Sequence, residues 1–560
     1  MSRRVGLLAA LVATACCSKS DVKSGGTGTG SAPAAPPPPP TLTVFALAEV
    51  RGQIGPCGCT TDPLGDIART TQLVSDARKA GPTVLVDAGS LLYGKIPIPE
   101  LQKTQEDLKA TLIGKVYKEQ LAADAVGLGP ADLAYGPTGD LKLPRTAVNL
   151  DGMQPPKLVD AGATKVGVFG VIAEGAIGVA VKEPVAAAKA AVADLKKRGA
   201  RVVIALVQAP DKRVAVKLVR DVGGIDIAVA GLGQNAPEPE AIEIEPQKID
   251  GAWLVIPANR GQVISRVDLW LRGDGPLADA VGPSAATAKA AGIDKQLAAL
   301  DADLKRFAAD KSADAQFVAQ KQRERDELAA TRQKLLAQPY AVPATGNYFT
   351  LAQLRISKKL ACSAAVQDQV TAYFHAAGEA NVKLAAALPV TPAKKGEPTY
   401  VGDATCDDCH SDAVEFWKKT VHAKAWQTLV ERGQELDLDC IGCHVTGYQK
   451  PGGSNLGHND KLRDVQCEVC HGPSSIHVAK GGEEKPPKVV RNPPKEMCAR
   501  ECHTKEHSDT FQYEAYLRDI VGPGHGEDLR KKLGDGPTGA QLRKAALDKA
   551  GRELGARCVR

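Results

Sequence analysis

Cys406-Asp407-Asp408-Cys409-His410 is repeated as Cys440-Ile441-Gly442-Cys443-His444 and as Cys467-Glu468-Val469-Cys470-His471. A looser copy follows, Cys498-Ala499-Arg500-Glu501-Cys502-His503, with one extra residue between the thiols. Cys-x-x-Cys-His is the attachment signature of c-type haem. The two thiols form thioethers with the vinyl groups, and the adjacent imidazole becomes the proximal iron ligand. A chain of 560 residues with 14 Cys and 10 His would give far fewer than one strict copy by chance. The spacing therefore predicts a mostly α multihaem domain holding four haem c groups, three at strict motifs and one at the variant. The expected iron ligands are His410, His444, His471 and His503.

The sixth ligand separates an electron carrier from a catalyst, because an iron with two protein ligands exchanges electrons and an open position can bind substrate. Methionine is nearly absent, and Met497 abuts Cys498, where it is badly placed to reach an iron. The distal ligands are therefore expected to be histidines. His422, His477 and His525 are the preferred candidates, ahead of His458 and His507, and His375 is read as structural. Any single histidine outside a motif can equally be an ordinary hydrogen-bonded side chain.

Working outward, Tyr400-Val401-Gly402 precedes the first motif and Phe416-Trp417-Lys418-Lys419-Thr420-Val421-His422-Ala423 follows it. Val445-Thr446-Gly447-Tyr448 follows the second, and Gly472-Pro473 the third. With these flanks, residues 400–528 resemble the cytochrome c-554 family of tetrahaem proteins associated with hydroxylamine oxidation. The resemblance implies electron transfer or, on related scaffolds, reduction of nitrogen oxides.

N-terminal to this region, Leu42–Ala48, Thr83–Asp87, Lys165–Ile172, Val202–Val207, Ile225–Ala230 and Ala252–Pro257 read as buried strands. Leu64–Ala80 and Pro184–Gly199 read as helices between them, an α/β layered pattern. The turns Ala48-Glu49-Val50-Arg51-Gly52-Gln53, Leu64-Gly65-Asp66, Asp87-Ala88-Gly89-Ser90, Gly129-Pro130-Ala131-Asp132, Val207-Gln208-Ala209 and Gly231-Leu232-Gly233-Gln234 resemble the metallophosphoesterase fold of the 5'-nucleotidase family. That family's metal ligands are missing from the matching positions. Glu49-Val50-Arg51 stands for Asp-x-His, Ser90 for the bridging Asp, and Pro130-Ala131 for Asn-His; Gln208, Leu232 and Gln234 stand for later His. No histidine precedes His375. Paired divalent metals need converging carboxylates and imidazoles, so this domain is expected to be a retained scaffold that positions or docks the cytochrome, without phosphoesterase activity. Cys57-Gly58-Cys59 reads either as a redox or metal-binding pair or as structural, in disulfides with Cys362 or Cys558 or with each other; the structural reading is preferred.

The expected organisation is multidomain. Residues 1–17 are a signal peptide with a lipobox-like end at Cys16, 18–41 a Ser/Gly/Pro-rich tether, 42–275 the degenerate metallophosphoesterase-like domain and 276–392 a helical connector containing a packed hairpin. Residues 393–528 are the tetrahaem domain and 529–560 a C-terminal helical tail, of which Gly536 to Arg560 is expected to be a solvated basic helix. The net charge is +6 with scattered Lys and Arg, which argues against nucleic acid. These readings converge on an exported multihaem cytochrome on the periplasmic side, lipid-anchored through Cys16 with the outer membrane favoured, passing electrons between redox proteins of the cell envelope. The alternative is a haem enzyme reducing nitrite, hydroxylamine or a similar nitrogen compound at one five-coordinate haem.

Overall fold

The computed structural model describes residues 38–56, 59–134, 143–280, 283–309, 314–337, 343–482, 488–556 and 558. Cys16, the tether up to residue 37 and Cys57 lie outside the described residues. The apolar runs of the N-terminal half form β1 (Leu42–Leu47), β2 (Thr83–Asp87), β3 (Ala125–Val126), β4 (Lys157–Ala161), β5 (Thr164–Ile172), β6 (Val202–Gln208), β7 (Ile227–Gly231), β8 (Gln247–Ile249), β9 (Ala252–Val255), β10 (Val263–Trp270), β11 (Leu277–Asp279) and β12 (Asn347–Arg355). They build two mixed six-stranded sheets, ordered β11-β12-β10-β1-β2-β3 and β4-β5-β6-β7-β9-β8.

Between the sheets, Val44, Val84 and Val267 of one pack against Val168, Ile204 and Val229 of the other. Each such side chain contributes on the order of 2 kcal/mol when buried. On the outer face of the first sheet lie α1 (Ile67–Ala80), α2 (Lys103–Glu119) and, from further along the chain, α7 (Ala364–Ala387). The second sheet is covered by α3 (Pro184–Lys197) and α4 (Lys212–Val222). The result is a four-layer αββα stack, which explains why the strands are apolar on both faces: β1 and β6 are buried along their whole length. Asp66 accepts from the backbone N–H groups of Ala68 and Arg69 and so starts α1.

Three expectations need correction. The connector is not wholly helical. After the hairpin of α5 (Pro283–Ala309) and α6 (Ala315–Ala337), joined by Arg325–Asp301 and Arg332–Asp294 ion pairs, the chain returns as β12. That strand pairs antiparallel with β10 over eight positions, so the layered domain runs past residue 275. Next, Cys362 and Cys558 bond each other, and Cys59 is a free thiol. The chain end runs beside 358–362, with Gly555 N–H donating to the Lys358 carbonyl and Cys362 N–H to the Ala556 carbonyl. This alignment, invisible in Cys spacing, selects the pairing. Finally, the C-terminal tail is helical only through α14 (Glu527–Leu533) and α15 (Gly539–Ala550); its last described residues are tied down rather than solvated helix.

Residues 40–560 form one compact unit. The haem-motif region lies on α8 (Asp403–Trp417), α9 (Ala425–Val430), α10 (Cys467–His471), α11 (Ser475–Ala479), α12 (Lys495–Glu501) and α13 (Tyr513–Ile520) with irregular chain between them. Polar contacts bind it to the layers. Arg260 of the β9–β10 turn pairs with Glu506, the Thr61 backbone N–H donates to Asp509, and Lys95 and Lys109 pair with Asp439. No helix among the described residues is long and apolar enough to cross a membrane.

Candidate redox centre

A helix presents residues i, i+3 and i+4 on one side, so Cys-x-x-Cys-His on a turn of helix aims both thiols and the imidazole the same way. The first motif lies on α8, which breaks at His410 (φ −123°, ψ 38°). The second occupies a 3-10 turn over Ile441–Cys443, and the third is the whole of α10. In the fourth, Cys498 lies in α12 and Cys502 follows as its C-cap, the Cys502 N–H donating to the Cys498 carbonyl, so the two residues stand about one turn apart.

The structure brings the predicted ligands together in pairs. Ring centroids of His410 and His477 lie 6.4 Å apart, those of His422 and His503 6.2 Å, and those of His471 and His525 5.9 Å. Each pair joins one motif histidine to one of the three preferred distal candidates. Two imidazoles that both held one iron would have centroids about 6 Å apart, so the spacing of each pair suits residues that would hold a haem iron together. His444 differs. Its Nδ1 meets the Ala425 carbonyl and the Thr428 hydroxyl, and among the described residues no ring contact joins it to another histidine. His507 Nδ1 meets the Thr504 hydroxyl at 2.9 Å.

Further features fit haem. A carbonyl only accepts, so the Nδ1 of His444, His471 and His525, facing the carbonyls of Ala425, Val490 and Ile520, must carry the proton. That leaves Nε2 with the lone pair that a metal needs. His503 is fixed by Ser508 Oγ at 2.9 Å and by stacking on Phe511 at 4.7 Å. Burial depresses the proton affinity of His422, to about 4, with the neighbouring His503 adding to the effect; burial also lowers His444, His471 and His503. All eight motif thiols are free of disulfides, although Cys406 contacts Cys467 and Cys443 contacts Cys502. Val421, Val478 and Val490 beside these histidines are exposed, Val421 by 73%, apolar surface that a porphyrin would cover.

Among the described residues, the turns of the layered domain hold no comparable site. Glu49 Oε1 accepts from Gln208 Nε2 at 3.1 Å and from the Gly233 N–H at 3.0 Å, and its Oε2 pairs with Arg51 Nε at 3.1 Å. Arg51 also donates to Gln234 Oε1 and to the Gly233 carbonyl. A guanidinium therefore supplies the positive charge there, and a side-chain amide fills the interior. A Cβ on Gly129 or Gly231 would stand 2.2 Å from Ser90 Oγ or 2.1 Å from Gln208 Nε2. Glu49, Arg51 and Ser90 keep left-handed backbone (φ 54°, 51° and 58°), a conformation costly for such residues. Asp87, wholly buried, is pushed up to about 7 by that burial, against hydrogen bonds from the Gly89 N–H and the Tyr117 hydroxyl. A pair of divalent metals does not fit this arrangement. Among the described residues, no group of three or more His, Cys, Asp or Glu could hold a metal ion.

Sequence reading missed Gln105, Lys109, Asp437 and Asp439, which join the layers to the second motif, and the carbonyls that orient the imidazoles. The Asp-x-Asp just before Cys440 was a usable signal; carbonyl positions leave none.

Comparison with known proteins places the sequence similarity in the C-terminal region. Residues 405–472 match the family described as "Cytochrome c554 and c-prime". Cytochrome c-554 of Nitrosomonas europaea is 36% identical over 90 residues, which cover 13% of this chain and 38% of that protein. The chain thus spans well under half of its relative's length. Among solved structures, the chain is similar to a Thermus thermophilus sulfate thiohydrolase SoxB in complex with glycerol (TM-score 0.39, 13% identity, 61% of each chain). It is also similar to a 5'-nucleotidase precursor from Thermus thermophilus (TM-score 0.39, 13% identity, 79% of this chain and 92% of that one). The C-terminal region thus carries a segment similar to c-type cytochromes of the c554 kind.

Proposed function

We propose that this protein is an exported multihaem c-type cytochrome that relays electrons between redox proteins of the cell envelope and is lipid-anchored at Cys16. Four haem c groups attach at Cys406/Cys409, Cys440/Cys443, Cys467/Cys470 and Cys498/Cys502. Bound haem supplies reversible one-electron chemistry. The chain holds and orients it: His410 with His477, His471 with His525 and His503 with His422 serve as ligand pairs, and His444 serves as the ligand of the second motif. The observation that carries the reading is the set of three imidazole pairs separated by 5.9 to 6.4 Å. Contacts of motif 1 with motif 3 and of motif 2 with motif 4 suit hopping between close carriers. The Cys362–Cys558 disulfide suits an oxidising compartment. Pyridine haemochrome analysis should return four haems per chain, and ferric electron paramagnetic resonance should show low-spin signals from the paired sites. A purified, correctly exported protein without Soret absorbance would overturn the proposal.

His444 favours a second reading, in which the haem at Cys440/Cys443 is five-coordinate and reduces nitrite, hydroxylamine or a similar small nitrogen compound. The support is its lack of a facing imidazole among the described residues. A high-spin ferric signal perturbed by nitrite or cyanide would favour this reading; purely low-spin spectra would remove it.

A further inference from the structure

We infer that Lys109, on helix α2 of the layered domain, is a positioning residue for the haem held at Cys440 and Cys443, acting through Asp439. The inference rests on the haem assignment proposed above. Residues 436–439 lead straight into the second motif, with the Cys440 and Ile441 N–H groups both donating to the Asp437 carbonyl at 3.0 Å. The layered domain grips this short segment at every residue. Asn381 Nδ2 of α7 donates to the Leu436 carbonyl at 2.8 Å. Gln105 Nε2 donates to Asp437 Oδ1 at 2.8 Å, while Gln105 Oε1 accepts from the Leu438 N–H at 3.0 Å. Lys109 Nζ lies 2.9 Å from Asp439 Oδ2 and 2.6 Å from Glu106 Oε1, and Lys95 Nζ lies 2.6 Å from Asp439 Oδ1.

The joint is buried: Glu106 and Asn381 are 1% exposed, Gln105 0% and Lys109 9%. Its polarity is only partly satisfied, since Glu106 Oε2, Asn381 Oδ1 and the Tyr373 hydroxyl have no hydrogen-bond partner among the described residues. Burying charges costs roughly as much as their attraction returns, so such a joint is a poor stabiliser and is better suited to fixing one register. What lies under that register is the one motif whose histidine has, among the described residues, no second ring to hold its haem in place. The other three haem sites would be clamped from both sides by the cytochrome region itself. The second depends on how residues 436–439 are seated.

Full-length exported holoprotein carrying Lys109→Met should keep four haems and its overall fold. Its resonance signal and midpoint potential should shift for one haem and stay fixed for the other three. Lys95→Met, at a half-exposed position, removes one of Asp439's two lysine partners and should move the same haem by less; it decides the matter alone if Lys109→Met does not fold. Lys217→Met, removing an exposed pair with Asp221 on α4, should move none. Folded variants with all four haems unmoved, or with all four shifted together, overturn the inference and leave the haem assignment standing. A wild-type protein without covalent haem overturns both.

Discussion

Asp87 shows how burial inside the layers sets the chemistry of a single residue. Its carboxyl is raised from 3.8 to about 7, so the folded chain keeps a proton that the unfolded chain releases above about pH 4. The neutral acid favours folding at low pH, and this contribution is lost as pH rises through about 7. At about 1.4 kcal/mol per pH unit, the span from 3.8 to about 7 sets an upper bound of about 4 kcal/mol. Asp87→Asn keeps a group able to accept from the Gly89 N–H and donate to Tyr117. Its melting temperature should therefore fall less than the wild type's between about pH 5 and about pH 8; equal slopes would contradict this account. At the same scale, the paired cysteines and the histidines beside them stand out in the sequence, because covalent attachment of a cofactor would demand fixed spacing. Which distal histidine faces which motif was not readable. His422 is 12 positions after His410, yet it meets His503, a choice made by how the loops fold back.

At the scale of elements, α12 accounts for the irregular fourth motif. The Cys502 N–H closes a turn on the Cys498 carbonyl at the end of the helix, so the inserted residue is taken up within one turn. Cys502→Ala should leave the holoprotein with fewer thioether links at that site, and Cys498→Ala/Cys502→Ala should reduce the haemochrome count from four to three. A double variant that still returns four would show that haem is held elsewhere. The long apolar strands were legible because burial on both faces leaves unbroken runs of Val, Ile and Leu. β12 was not, although Tyr348, Phe349, Leu351 and Leu354 carry strand-forming character. It lies between long helices, and only its partner β10, some 80 residues earlier, makes it a strand. α2 also escaped notice. Its buried face includes Gln105, Glu106 and Lys109, polar residues that blur the helical apolar stripe and have a reason to be buried only once Asp437 and Asp439 arrive.

For the whole molecule, the notable arrangement is a haem-motif region seated on α/β layers in which Glu49 and Arg51 form an ion pair. The disulfide between Cys362 and Cys558 spans 196 residues. Closing a loop of that length lowers the entropy of the unfolded chain by an amount worth about 5 kcal/mol at room temperature. Cys362→Ser/Cys558→Ser should accordingly melt markedly lower, with its haem spectrum unchanged below the transition. An unchanged melting temperature would place the ends of the loop together even in the unfolded chain. The pairing itself could not be chosen from sequence, since four cysteines outside the haem and lipobox motifs allow several combinations.

That same bond makes a covalent ring of everything between its two sulfurs, and all four haem motifs lie on the ring. A protease that nicks the ring once cannot release the coloured fragment. On a non-reducing gel, haem-stained material from such a digest would run at the mobility of the uncut chain or slower. Adding a thiol reductant would split it into two bands, with the stain on one or both according to where the nick falls.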